Sequence, residues 1–354
     1  MNLLVLNHMK ILIVLTVLIP FVSSAEITFS KKENKVMMSG KCTELQAEIP
    51  SLSQWTINSK AGNGCENLSP AGQYEDFCAY NVTSCVPEHV VKYQNANPEI
   101  DGPNCWNLSL VMKGILPHLR YTTPQEMNFY MAPPLCRQLK DSEPRQAGDI
   151  GAIRSIANGA INESHGFIYI SEKLSYSKNG ATKRSPYALQ SLDGVLGAYG
   201  VPRNADCRKN EITNTNCKNA VSYFRCQSLD SYMASHQEIP DKVKKFFSES
   251  AKAENCISEQ TMKGKALTAE AVQNITDASL SLTVFANQIK QDIEFKKLPA
   301  DEQSFIANAL FFRLQGISTQ LSINNEKFLA DSTSILTRSF VDNFNSYADQ
   351  KKSK

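Results

Sequence analysis

The sequence has little excess charge and few of the motifs that mark a metal or cofactor site. Its 354 residues include 37 Lys and Arg against 35 Asp and Glu, a net charge of +2 that gives no reason to expect nucleic acid as a partner. It has no Cys-x-x-Cys, no His-x-x-x-His and no phosphate-binding glycine loop, the patterns that zinc and nucleotide sites use. We therefore predict no metal and no cofactor, with His89, His118 and His236 as isolated surface or packing residues.

Long apolar runs are also missing, apart from one near the N-terminus. Residues 1–25 contain Lys10, then an apolar run over Ile11–Val22, then Ser23-Ser24-Ala25. This order predicts a signal peptide cleaved after Ala25. The alternative is an uncleaved anchor, although the run is shorter than the about 20 residues that span a bilayer. The prediction is an exported protein, secreted or periplasmic, with no transmembrane segment after cleavage and with oxidised cysteines.

Three segments of different character follow, and together they predict an α+β protein. Residues 26–92 hold four of the ten cysteines. A hairpin is expected around Lys31–Lys35, in an otherwise loop-rich, disulfide-stapled segment. Residues 93–235 mix a short helix beginning at Cys105 with strands near Gly148, His165 and Lys173. Residues 236–354 have apolar positions three and four apart, which predict a helical bundle of three or four antiparallel helices.

Cys105 and His165 are the residues whose positions indicate catalytic chemistry. Cys105 opens a predicted helix, where free backbone N–H groups and the helix dipole favour an anion and lower the pKa of a thiol. His165 begins a strand 60 residues later, and a Cys/His pair that is distant in sequence can meet in the fold. Because most cysteines of an exported protein form disulfides, the alternative is that Cys105 is paired too.

Three blocks in this region keep a characteristic order and spacing. Tyr93 lies 12 residues before Cys105, Gly148-Asp149-Ile150 precedes a strand, and His165 opens the sequence His-Gly-Phe-Ile-Tyr-Ile. Over about 90 residues the chain thereby resembles the NlpC-type cell-wall peptidases, papain-like cysteine hydrolases related to the CHAP amidases. That family runs Tyr, Asp-Cys-Ser-Gly at a helix start, Gly-Asp-Leu, and His-x-Gly-Ile-Tyr-Ile. Here Asn104 and Trp106 replace the Asp and Ser beside the cysteine.

The resemblance implies a papain-like catalytic domain over residues 93–235 that cleaves amide bonds in peptidoglycan stem peptides. Cys105 would attack the amide carbonyl, and His165 would be the base that then protonates the leaving amine. Tyr93 would lie near the thiolate and the substrate; its alternative role is core packing. The third catalytic position falls near Ser177, where Asn179 is the nearest residue able to orient an imidazole. Asn179 is equally well explained as the turn residue of Asn-Gly.

The cysteine count is consistent with a free thiol at Cys105. One further cysteine must then be unpaired, and Cys136 is the expected one because it falls inside the core domain. The other eight would divide into two groups of four: Cys42, Cys65, Cys78 and Cys85, and then Cys207, Cys217, Cys226 and Cys256.

Two functions remain open at this point. The first is an exported cysteine hydrolase acting on peptidoglycan. The second is a non-catalytic binding or structural protein on the same scaffold, because fold likeness does not establish activity. A free thiol beside His165 would favour the hydrolase, whereas a disulfide or a sealed pocket at Cys105 would favour the binding protein. A sequon at Asn107, next to the predicted nucleophile, favours a bacterial source in which it carries no glycan.

Overall fold

The computed structural model describes residues 27–59, 62–65, 68–157, 160–210 and 217–352, so the predicted signal peptide lies outside the described residues. The N-terminal part is an antiparallel sheet with a long helix against it. The strands, in spatial order β1-β2-β4-β3, are β1 (Thr28–Lys32), β2 (Lys35–Lys41), β3 (Gly72–Tyr74) and β4 (Phe77–Asn81). The predicted hairpin is confirmed by the pairing of β1 with β2.

Helix α1, Cys42–Asn58, occupies much of the stretch that was expected to be loop-rich, so that expectation is wrong. Its buried residues Leu45, Ile49 and Leu52 recur at helical spacing, and Trp55 is fully buried. Disulfides Cys42–Cys78 and Cys65–Cys85 join this helix and the following loop to the segment Phe77–Cys85. The four cysteines of this segment therefore pair among themselves, as predicted.

The central part is a six-stranded antiparallel sheet in the order β5-β10-β6-β7-β8-β9. Its strands are β5 (Cys136–Gln138), β6 (Ile150–Ala157), β7 (Ala160–Tyr169), β8 (Leu174–Lys178), β9 (Tyr187–Ser191) and β10 (Asn219–Cys226). Four helices accompany it: α2 (Glu88–Tyr93), α3 (Cys105–Met112), α4 (Pro124–Tyr130) and α5 (Leu192–Ala198). Short 3-10 turns lie at Thr83–Cys85 and Ala205–Cys207. Helix α3 packs on β7 and β8.

The two faces of this sheet carry different apolar clusters. Ile168 of β7 and Ile170, the residue after the strand, belong with Trp106 of α3 to the main core. Phe167 and Tyr169 point to the other face and pack with residues of α5. Successive residues of a strand point to opposite faces. Over residues 165–169, the even-numbered side chains of β7 therefore face α3 and the odd-numbered side chains face α5.

The C-terminal part is helical, as predicted, and packs against the central part. Its helices are α6 (Leu229–Ser235), α7 (Asp241–Lys263), α8 (Ala269–Gln288), α9 (Ile293–Lys297), α10 (Ala300–Ile323) and α11 (Lys327–Lys352). Arg120 is fully buried at the junction, 2.5 Å from a Glu126 oxygen and 3.2 Å from a Glu254 oxygen of α7. The side-chain oxygen of Gln320 in α10 accepts a hydrogen bond from the Tyr121 backbone N–H at 2.7 Å.

The remaining disulfides correct two predictions: Cys136 is paired, and the second expected group of four, Cys207, Cys217, Cys226 and Cys256, does not pair within itself. Cys136 is not the unpaired cysteine, because β5 and β10 place it directly opposite Cys226, to which it is bonded. Cys207 pairs with Cys217, and the free thiols are Cys105 and Cys256. None of the helices in the described ranges has both the length and the apolar character that crossing a bilayer requires.

Candidate functional site

Cys105 is the first residue of α3, where the sequence predicted a helix to begin. The Asn104 side-chain oxygen accepts the Asn107 backbone N–H at 2.9 Å and caps the helix. The Asn104 amide in turn donates to the Thr122 carbonyl at 2.8 Å, which fixes the orientation of the cap. The Cys105 thiol is free and only 7% exposed. Asn107 is fully buried, so a glycan at this sequon is incompatible with the fold.

The surroundings of the sulfur combine burial with several groups that favour an anion. Burial raises the pKa of the Cys105 thiol, and this effect outweighs the others. Hydrogen bonds from the backbone N–H groups of Gly166 and Trp106, together with the positive charge of Lys178, act in the opposite direction. The expectation that the helix start would leave this thiol with a lowered pKa is therefore wrong. The reason is desolvation, which penalises the charged form of a buried group.

Gly166 brings β7 and α3 close enough for this arrangement. A Cβ atom at Gly166 would lie 2.5 Å from the Trp106 ring, so any larger residue would push the helix away. Strand β8 pairs with β7 only at Ile168 and Tyr169. Gly166 lies two residues before this pairing, and its backbone N–H acts to lower the pKa of the Cys105 thiol.

His165 is directed away from α3 and forms no hydrogen bond with Cys105. It lies opposite Ile153 of β6, and its ring stacks on Tyr199 at a centroid distance of 4.1 Å. The residue is fully buried, and neither ring nitrogen has a hydrogen-bond partner among the described residues. Burial lowers the pKa of His165 to about 3, so the ring is neutral. The structure thus places both predicted residues on adjoining elements but does not bring their side chains together as a catalytic pair.

Lys178 is a site residue that the sequence reasoning missed. It is the last residue of β8 and is fully buried, and its Nζ donates to the carbonyls of Gly180 and Thr182 at 2.9 Å each. Burial lowers the pKa of Lys178 to about 8, opposed by the negative charges of Cys105 and Asp101. The sequence signal was the polar residue at the end of the strand that follows the His165 strand. The third catalytic position was instead assigned to Asn179, the next residue, because its side-chain amide could orient an imidazole.

The other two predicted residues occupy peripheral places. Asn179 is exposed, accepts a hydrogen bond from the Ser177 hydroxyl at 3.4 Å, and precedes Gly180, whose φ is 97°. Its observed role is that of the turn residue. Tyr93 is half-buried at the end of α2, where its ring packs against His89 at 4.8 Å and Tyr187 at 5.8 Å.

At Cys105 the backbone N–H groups of Gly166 and Trp106 and the Lys178 charge favour a thiolate, whereas burial favours the neutral thiol. Comparisons with models of known protein families, with curated proteins and with solved structures found no match for this chain. Among the described residues, the side chains able to hold a metal ion as a group of three are His236, Glu238 and Glu302.

Proposed function

We propose that the chain is an exported cysteine hydrolase that cleaves amide bonds in peptidoglycan peptides, with Cys105 as its nucleophile. The observation that carries this proposal is the free Cys105 thiol at the start of α3, where the backbone N–H groups of Gly166 and Trp106 and the Lys178 charge oppose the rise in its pKa that burial causes. Backbone N–H groups directed at a sulfur stabilise the thiolate and then the oxyanion of a tetrahedral intermediate.

The order of elements supports a papain-like core. A cysteine at a helix start packs on an antiparallel sheet, and the chain then runs through the Gly-Asp turn and the His165 strand. The substrate class rests on the sequence resemblance between residues 93 and 180. The four disulfides are compatible with export.

In this proposal Lys178, not His165, exchanges the proton with Cys105. The two hydrogens of a neutral Lys178 amine would satisfy the Gly180 and Thr182 carbonyls, which leaves its lone pair free. The amine takes the thiol proton, the thiolate attacks the amide carbon, and the C–N bond breaks as the ammonium protonates the leaving nitrogen. Lys178 then takes a proton from the water that attacks the thioester carbon, and it returns a proton to the Cys105 sulfur as the C–S bond breaks. Lysine serves as the base in related nucleophile–lysine pairs.

Digestion of purified peptidoglycan, followed by the release of new amino groups, tests this assignment. Cys105→Ser should abolish release, and Lys178→Met should slow it by roughly 10²-fold or more, the usual contribution of a general acid–base. For the unsubstituted chain, the rate should rise with pH through about 8, where Lys178 becomes neutral.

Two control variants sharpen the experiment. Cys256→Ser removes the other free thiol and should leave the rate unchanged. His165→Phe should also retain activity, because its ring packs against Tyr199 rather than Cys105. Loss of activity in His165→Phe with retention in Lys178→Met would reassign the base to His165. No release by the unsubstituted chain would reject the hydrolase.

A second candidate function is the non-catalytic binding or structural protein, and the burial of Cys105 favours it. The sulfur is nearly inaccessible, its pKa is raised by that burial, and the His165 ring faces the other side of β7. Alkylation without reduction, read by mass spectrometry, separates the two functions. The binding protein predicts labelling at half-buried Cys256 before Cys105, whereas the hydrolase predicts that Cys105 reacts first, at a rate that increases with pH.

A further inference from the structure

A second site with chemistry of its own lies where α4, α6 and α10 meet. An open cavity of about 630 Å³ is walled by the rings of Phe129, Tyr232 and Phe305. His236, Glu238 and Glu302 also line it, and one possible ligand atom from each lies within 4.8 Å of the other two. Two ligands of a tetrahedral zinc ion are about 3.4 Å apart, since each bond is about 2.1 Å long. Small side-chain rotations would therefore bring all three atoms onto one ion.

The His236 ring is already oriented for coordination. Its Nδ1 lies 2.8 Å from the Tyr232 carbonyl oxygen, which can only accept, so Nδ1 carries the proton. The ring also packs against the Tyr232 ring at 4.2 Å. In the neutral ring this leaves Nε2 with its lone pair. A carbonyl that holds the other ring nitrogen is the usual outer partner of a metal-binding histidine.

The carboxylates of this group lack a lysine or arginine partner among the described residues. Glu302 is 7% exposed, and its Oε1 accepts only a long hydrogen bond, 3.5 Å, from the Tyr232 hydroxyl. Across the described ranges, no lysine or arginine forms an ion pair with Glu238, Asp301 or Glu302. Buried carboxylates are ordinarily paired or bound to a metal.

We propose that His236, Glu238 and Glu302 bind a divalent transition-metal ion such as Zn²⁺. One imidazole and two carboxylates are a ligand set that zinc accepts. Structural zinc sites have four protein ligands, whereas sites with three leave a position for water or another small ligand. Here that position would face the cavity that Phe129 and Phe305 line. The site is independent of Cys105 and of the proposed hydrolase.

Calorimetric titration of the untagged full chain with Zn²⁺, with bound zinc counted by elemental analysis, tests this site. We expect one equivalent of zinc in the unsubstituted chain. Glu302→Gln and His236→Ala should each weaken binding roughly tenfold or more, since losing even an outer partner of a metal ligand costs 10–100-fold. Because Glu238 is exposed, Glu238→Gln gives the same test without disturbing the packing.

The controls are a histidine and a thiol outside the site. His118→Ala and Cys256→Ser should retain one equivalent of zinc at unchanged affinity. If the unsubstituted chain binds no zinc, or if Glu238→Gln and His236→Ala bind it as the unsubstituted chain does, the proposal is wrong. Loss of binding only in Cys256→Ser would assign the zinc to the thiol and overturn the site as well.

Discussion

Replacing His165 with phenylalanine should stabilise the fold and remove part of its sensitivity to acid. The His165 ring is fully buried, and both of its nitrogens lack hydrogen-bond partners among the described residues. Phenylalanine would keep the stack on Tyr199, now 4.1 Å between centroids, and would bury no polar atom. An unsatisfied buried polar group costs about 1–3 kcal/mol. We therefore expect the free energy of unfolding at pH 8 to rise by about that amount.

The acid sensitivity follows from the pKa of His165. Burial lowers it from 6.5 to about 3 in the folded chain, so the unfolded chain binds one more proton between these two pH values. The free energy of unfolding must then fall as the pH drops below about 6.5, and this contribution stops changing near pH 3. At pH 5 the loss from this residue is about 2 kcal/mol relative to pH 8, because 1.5 pH units below the unfolded pKa correspond to that energy.

Urea unfolding of both chains at pH 8 and pH 5, with disulfides intact, measures this difference. Between the two pH values the unsubstituted chain should lose about 2 kcal/mol more than His165→Phe, with similar dependence on urea concentration. Equal losses in the two chains would show that His165 is protonated in the folded state or exposed to solvent. The reasoning about its buried, unpaired ring would then be wrong.

Three further predictions concern packing and are read by the same unfolding measurement. Arg120→Met should cost about 3–5 kcal/mol because it leaves buried Glu126 without its partner and removes one of the two arginines that pair with Glu254. Arg137→Met, which breaks an exposed ion pair, should cost under about 1 kcal/mol; equal effects would contradict the buried network. Gly166→Ala should cost about 1–3 kcal/mol through its clash with α3. The control is Gly197→Ala in α5, where a Cβ atom would meet open space; it should stabilise the fold by up to about 1 kcal/mol. If Gly166→Ala leaves the stability unchanged, the close contact between Gly166 and Trp106 is refuted. Cys136→Ser should lower stability by about 2–5 kcal/mol, and an unchanged unfolding midpoint would argue against its disulfide.

Local patterns in the sequence predicted the elements that are set by nearby residues. The helix that begins at Cys105 was predicted from its apolar spacing, and its Asn104 cap is a local feature as well. The strand at His165 was predicted from its aromatic and β-branched residues, and the helices of residues 236–354 from their spacing. These patterns depend on residues a few positions apart. They predict the elements correctly because the apolar residues that form each pattern also form the buried face of the element.

Helix α1 was missed because its signals conflict. Pro50 lies inside the helix, and a proline there removes a backbone hydrogen bond. The surrounding cysteines and the Gly-rich stretch after it favoured loops. What stabilises the helix is tertiary: Trp55 and Leu52 are fully buried, and disulfide Cys42–Cys78 ties its first residue to β4. None of these partners can be identified from residues 42–58 alone.

The pairing of Cys136 has a similar explanation. Cys136 and Cys226 are 90 residues apart, and only the antiparallel register of β5 and β10 places them opposite each other. A count of cysteines gives the number of free thiols but not their identity. The count correctly required a second free cysteine beside Cys105, and that cysteine is Cys256.

The position of His165 depends on the alternation of side chains along β7. Gly166 follows His165 directly and faces Trp106 of α3, where a Cβ atom would lie 2.5 Å from the ring. Neighbouring residues of a strand point to opposite faces, so His165 joins Phe167 on the far side. The sequence alone could not assign the two faces, because both carry buried apolar residues. Lys178 is then the buried ionisable side chain whose charge acts on the Cys105 sulfur, which is why the choice between Lys178→Met and His165→Phe decides how this thiol is used.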